Sequence, residues 1–124
     1  MLPPNDDRIF HLCTRSALTA ARAVGTYRAD SLATEGFIHL SRAHQVLRTA
    51  RLYFAGVPDV VVLVVDPSLL TSRLVYELPT SVTAHTTALP ADGDVTDAHF
   101  PHCYGEINLA AIVDVIELAQ FHTG

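Results

Sequence analysis

Six consecutive residues, Val60-Val61-Val62-Leu63-Val64-Val65, are aliphatic, and all but Leu63 are β-branched. β-Branched side chains favour a pleated strand over a helix. A strand sends alternate side chains to opposite faces, so a run that is apolar at every position must be covered on both. This segment is therefore expected to be a central strand, with the rest of the chain supplying a layer on each side. A chain of 124 residues suffices for one domain of that kind and not comfortably for two. Hydrophobic residues make up 49% of it and charged residues 17%, enough apolar material for a real core. A single domain over residues 1–124 is expected, with residues 1–7 flexible.

The remaining segments alternate without an internal repeat. Residues 8–13 read as a first strand. Thr14 or Ser16 then caps a helix over residues 17–24, which Gly25 ends. Residues 27–35 read as a loop, and Gly36 leads into a strand over 37–40. Ser41 is placed as the N-cap of a second helix whose apolar positions Ala43, Val46, Leu47, Ala50, Tyr53 and Phe54 follow helical spacing to Gly56. Asp66-Pro67 opens a helical turn. Further strands are expected at 74–78, 82–87 and 112–118, with a polar loop at 90–98 and a helical turn near Asn108. Strands outnumber helices, and both helices come early. That order predicts an α+β domain, a mixed and highly curved sheet with two short helices packed on it, over a doubly wound parallel fold.

Seven histidines are present, and three lie in short patterned segments: Phe10-His11-Leu12-Cys13-Thr14, Phe37-Ile38-His39-Leu40-Ser41 and Phe100-Pro101-His102-Cys103-Tyr104-Gly105. In extended chain, residues two apart share a face. His11 then pairs with Cys13, His39 with Ser41, and His102 with Tyr104, while the apolar neighbours point the other way into the core. A lone strand histidine is usually a hydrogen-bonded, partly buried residue; three in like contexts argue for one ligand pocket. His11, His39 and His102 are the candidate catalytic residues. Ser41, Tyr104, Thr14 and Arg42 are the candidate ligand-binding residues, with Arg28 a second phosphate partner beside Arg42. For Ser41 a helix cap, for Tyr104 core packing and for Arg42 a solvated helix position are the structural alternatives.

The net charge is -5, and all eight basic residues are arginine, so no extended nucleic-acid surface is expected. A groove for one phosphate group needs only a few arginines. Residues 1–7 have no basic start or apolar run, and no apolar run reaches membrane length, so no signal peptide and a cytoplasmic protein with Cys13 and Cys103 as free thiols are expected. The partner expected is a small molecule, the assembly a monomer or homodimer. His11 and His39 are 28 residues apart, His39 and His102 63 apart, with no HxH or HxxxH seed, so no metal is expected.

Two of these segments, Thr34-Glu35-Gly36-Phe37-Ile38-His39-Leu40-Ser41 and Phe100-Pro101-His102-Cys103-Tyr104-Gly105, resemble the signatures of domain of unknown function 952, a bacterial family. Residues 9–14 and 109–117 are similar to its pattern too, so the resemblance spans nearly the whole chain. The family is grouped with ADP-ribosyltransferase-like folds, which implies a split, curved β-core with an NAD-binding cleft. A more distant likeness is to the RNA 2'-phosphotransferases, in which a Tyr-His-Gly-Thr strand and a helix precede a His-Leu-Ser strand. By that likeness His11 would contact NAD or its ADP-ribose part. Leu12-Cys13 replaces the glycine, no basic RNA-binding lobe is present, and Glu77 and Glu106 are the candidates for a transferase glutamate. The resemblance implies a nucleotide-binding domain with NAD as its cofactor, acting as an NAD-dependent transferase or hydrolase. The alternatives are a non-catalytic accessory protein that keeps the fold, and a His-ligated metal-dependent enzyme.

Overall fold

The apolar run forms the strand around which the rest is layered. A computed structural model describes residues 8–78 and 99–121. The elements in chain order are β1 (Ile9–Thr14), α1 (Arg15–Val24), β2 (Thr26–Tyr27), α2 (Asp30–Glu35), β3 (Ile38–His39), α3 (Val46–Tyr53), β4 (Val60–Val65), β5 (Leu74–Glu77), β6 (Phe100–Cys103), β7 (Ile107–Asn108) and β8 (Ile112–Glu117). Short 3₁₀ turns at Ala43–Gln45, Pro67–Leu69, Leu109–Ala111 and Leu118–Gln120 join them. The fold is α+β.

β4 is central in the sheet β1-β4-β8, and every one of its side chains is buried. Its two faces meet two different layers. Val61, Leu63 and Val65 join Ile9 and Cys13 of β1 against α1, Tyr27, Ile38, Cys103 and Ile107. Val60, Val62 and Val64 join Phe10 and Leu12 against α3 and Phe121. Both strands of the β1–β4 pair therefore face core on both sides, which is why neither shows an alternating polar pattern.

Two smaller sheets complete the β-structure: β2-β7, and β3-β6-β5. Among the described residues all strand pairings are antiparallel. The pairing is thus antiparallel where a mixed sheet was expected, and the β-structure is split into three small sheets, packed so that Tyr27, Ile38, Cys103 and Ile107 bury their apolar atoms against β1 and β4.

Three further expectations change. Residues 30–35 form α2, closed by Gly36 at φ +91°, where a loop was expected; α2 buries none of its residues, so it lacks the apolar periodicity that reveals helices. The expected two helices become three. Ser41 does not cap a helix: its backbone exchanges two hydrogen bonds with Phe10, at 2.8 and 2.6 Å, and tilts the chain from β3 onto β1 before a 3₁₀ turn opens at Ala43. Thr14 does cap α1, its hydroxyl accepting from the Ala17 N–H at 3.2 Å, and Gly25 closes the helix at φ +104°. The expected strand at 82–87, the loop at 90–98 and the flexible residues 1–7 lie outside the described residues. Among the described residues no helix is long and apolar enough to cross a membrane.

Leu63 is fully buried at the centre of this arrangement. Leu63→Ala is expected to cost about 2–5 kcal/mol of unfolding free energy in urea, the range for truncating a buried leucine. A loss below about 1 kcal/mol would mean that β4 does not carry the core.

Candidate functional site

The site is built on the outer face of the sheet β3-β6-β5. His39 and His102 sit directly opposite each other on β3 and β6. One residue on, the Leu40 N–H donates to the Pro101 carbonyl at 2.9 Å. Hydrogen-bonded and non-hydrogen-bonded pairs alternate along an antiparallel ladder, so His39 and His102 form a non-hydrogen-bonded pair, whose side chains lie closest. Their rings meet edge to face with centroids 5.3 Å apart. Ile38 and Cys103 leave the opposite face and are fully buried in the core.

β5 adds to the same face. Val75 lies opposite His102, and Glu77 follows two residues later. The Glu77 carboxylate accepts from His102 Nδ1–H at 2.8 Å and from the Tyr104 hydroxyl at 2.6 Å, both on Oε1. These two donors hold its pKa below the ordinary carboxylate range, the tyrosine bond being the larger cause, and the same bond pushes the Tyr104 pKa up. Phe37, two residues before His39, stacks on the His102 ring at 4.1 Å and 20°. The Arg73 guanidinium lies over the Tyr104 ring, 5.6 Å from its centroid. His39, half-exposed, contacts Glu35 of α2 at 3.2 Å.

The protonation of His102 follows from its partners. A carboxylate accepts only, so Nδ1 carries the proton. Burial pushes the His102 pKa down, with Glu77 opposing, so the ring is neutral near neutral pH and its lone pair resides on Nε2. That nitrogen is buried and, among the described residues, has no hydrogen-bond partner. A buried polar atom without a partner is costly, and it is a functional signal when the rest of the ring is so firmly held.

His11 belongs to the same neighbourhood but faces inward. It is buried on the core face of β1, contrary to the expected outward orientation, because both faces of that strand are covered. Nδ1–H donates to the His39 carbonyl at 2.6 Å, and Nε2 accepts from the Tyr27 hydroxyl at 2.8 Å. Desolvation lowers its pKa to about 4, so it too is neutral. The Cys13 thiol packs beside the Tyr27 hydroxyl; burial pushes the pKa of both up. Cys13 and Cys103 are free thiols.

The remaining sequence candidates are held elsewhere. The buried Ser41 hydroxyl bonds Thr49 of α3 at 3.2 Å, the Thr14 hydroxyl caps α1, and the Arg42 N–H donates to Gln45 Oε1 at 2.8 Å. Arg28 is ion-paired with Glu106, so of the two transferase-glutamate candidates it is Glu77 that contacts the histidine cluster. Sequence reading passed over Phe37, Arg73 and Tyr27. Phe37 was legible as the residue sharing a strand face with His39; Tyr27 sits in a two-residue strand and gave no signal. Gly105 has a packing reason: a Cβ there would lie 2.4 Å from Ser72 Oγ, which itself bonds the Glu106 carbonyl. Among the described residues no group of three or more His, Cys, Asp or Glu side chains is placed to hold a metal ion.

Comparison with known proteins gives a family and a fold. The pattern of a protein family of unknown function, DUF952, matches residues 12–115. No curated protein matches the chain. A crystal structure of protein CC0527 from Caulobacter crescentus is similar with a TM-score of 0.70 and 25% identity, covering 89% of this chain and 84% of that one. A solution structure of the same protein gives a TM-score of 0.68 and 26% identity over 90% and 84%.

Two outcomes follow from the geometry. Between about pH 4 and 6.5 the unfolded chain binds a proton at His11 that the folded chain refuses, so stability rises with pH across that window and is lost as pH falls through it. The full effect is about 3 kcal/mol, and urea denaturation at several pH values should show a slope that flattens in His11→Gln; equal slopes in the two proteins would refute it. Gly105→Ala should destabilise by about 1–3 kcal/mol, and its Tyr104 phenol should titrate nearer the ordinary value as the Glu77 bond is disturbed; an unshifted, fully stable variant would dismiss the packing argument.

Proposed function

The chain belongs to DUF952, a protein family of unknown function, and we propose that it binds a nucleotide or related phosphorylated small molecule on the face formed by His39, His102, Glu77 and Tyr104, with His102 as the acid–base group. The observation that carries this reading is the buried His102 Nε2, without a hydrogen-bond partner among the described residues, its lone pair fixed by the Nδ1–H bond to Glu77. A neutral imidazole held by a carboxylate is built to accept a proton or a hydrogen bond from a ligand hydroxyl. On protonation the same Glu77 oxygen would stabilise the imidazolium.

The donor set favours a particular kind of ligand group. Two carboxylates, Glu35 and Glu77, and the His102 lone pair all accept, so the face suits sugar hydroxyls and amide N–H groups. Arg73, over the Tyr104 ring, supplies a cation for a phosphate at its margin. NAD combines those groups in one molecule, which agrees with the ADP-ribosyltransferase-like resemblance of the motifs around His39 and His102. If NAD binds, His102 and Glu77 would meet ribose or carboxamide donors, and the pyridinium ring would supply a leaving group for transfer or hydrolysis. His11, with both ring nitrogens engaged inside the core, supports the site from behind.

Thermal-shift and calorimetric titrations with NAD, ADP-ribose and nicotinamide test the reading. A ligand at about a hundred times its Kd should stabilise the protein by about 2.7 kcal/mol, and His102→Gln and Glu77→Gln should each weaken binding about tenfold or more. No binding by any of the three, or binding indifferent to both substitutions, would overturn it.

A further inference from the structure

We infer that His11 and Tyr27 are positioning residues which set the histidine face from inside the core, an inference that rests on the reading of that face as the binding site. The reason lies in the ladder of β3. Because His39 and His102 are a non-hydrogen-bonded pair, the His39 carbonyl points away from β6. Among the described residues β3 is the edge strand of its sheet, so no further described strand of that sheet receives this carbonyl. Its hydrogen bond comes instead from a side chain on a different sheet, His11 Nδ1–H at 2.6 Å.

The β3–β6 ladder is weak in itself. It pairs only two residues, and at the adjoining Leu40–Pro101 position proline has no N–H to give, leaving one bond where two are usual. The orientation of the His39 peptide thus depends on His11. The His39 carbonyl only accepts, so Nδ1 of His11 carries the proton, and Tyr27 supports that tautomer from the other side of the ring. Its hydroxyl donates to Nε2 at 2.8 Å, which favours the tautomer with hydrogen on Nδ1, the one that can donate to the carbonyl. The chain of bonds runs from Tyr27 O–H to His11 Nε2, then from His11 Nδ1–H to the His39 carbonyl, joining β2, β1 and β3. The His39 ring then lies edge-on to His102, 5.3 Å away. An apolar side chain in place of His11 would leave the His39 carbonyl and the Tyr27 hydroxyl without this partner.

Three variants separate positioning from simple packing. His11→Leu keeps an apolar core and removes the donor; His11→Asn restores a donor where Nδ1 stood; Tyr27→Phe keeps the aromatic ring and removes the hydroxyl. Imidazole nitrogen shifts of His39 and His102, and the β3 amide shifts, are followed by NMR, with NAD affinity measured in parallel. The expected result is that His11→Leu folds and moves the His39 and His102 signals, His11→Asn returns them toward wild type, and Tyr27→Phe moves them less but in the same direction. NAD affinity should fall about tenfold in His11→Leu and recover to within about threefold in His11→Asn. If His11→Leu does not fold, Tyr27→Phe decides alone. Unmoved His39 and His102 signals in Tyr27→Phe and in any folded His11→Leu overturn the inference. Wild type failing to bind NAD overturns the ligand reading and leaves the NMR comparison to judge positioning by itself.

Discussion

The structure depends on a strand that water is not allowed to reach. β4 has no polar side chain to present on either face, so two separate layers must close over it, and the chain divides its secondary structure between them. One layer is helical, with α3 and Phe121 on the side of Val60, Val62 and Val64. The other combines α1 with the inner faces of the two small sheets, through Tyr27, Ile38, Cys103 and Ile107. The second arrangement is what creates a site. A sheet that spends its inner face on the core has an outer face left for chemistry, and the β3-β6-β5 sheet uses its outer face for His39, His102 and Glu77.

The same burial decides the electrostatics. Two imidazoles, His11 and His102, are carried out of water and lose their affinity for a proton as a result. Their partners differ in a way that separates their roles. His11 is saturated, with a donor on one nitrogen and an acceptor on the other, and can do no more than hold what it touches. His102 is half satisfied: Glu77 takes its Nδ1–H, and Nε2 is left with a lone pair. A negative carboxylate behind a neutral ring offers little extra binding in the resting state and much more once the ring is protonated. Tyr104 restrains that effect by sharing the same oxygen.

Much of the central frame was legible in the sequence because it follows from local rules. The apolar run at 60–65, the strand before it, the Thr14 cap and the Gly25 stop each rest on a handful of adjacent residues. What escaped was either too short or too exposed to leave a pattern. α2 has no fully buried residue, and β2, β3 and β7 are two residues each, stabilised by partners as many as 82 positions away (Thr26 to Asn108), so no window of sequence contains the reason for them. Ser41 has the chemistry of a cap and is used as a bridge to Phe10, because the chain has to cross from one sheet to the other there.

The histidines show the same boundary from the side of function. Alternation along a strand correctly groups His11 with Cys13, since both lie on one face of β1, but it cannot say whether that face looks outward. That depends on whether another layer covers it, and here Tyr27, Ile38 and Cys103 do. Glu77 is 25 residues from His102 in sequence and becomes its partner only through the β5–β6 register. An orphaned nitrogen is less legible still, because it is defined by the contacts a group does not make, and those exist only once every neighbour is in place. The proline and glycine of the third motif follow from this packing. Pro101 removes a ladder donor beside His102 and leaves the edge strand to be steadied from within, while Gly105 lets the turn after Tyr104 pass against Ser72. The motif therefore records the cost of holding one imidazole in a fixed place as much as it records the imidazole itself.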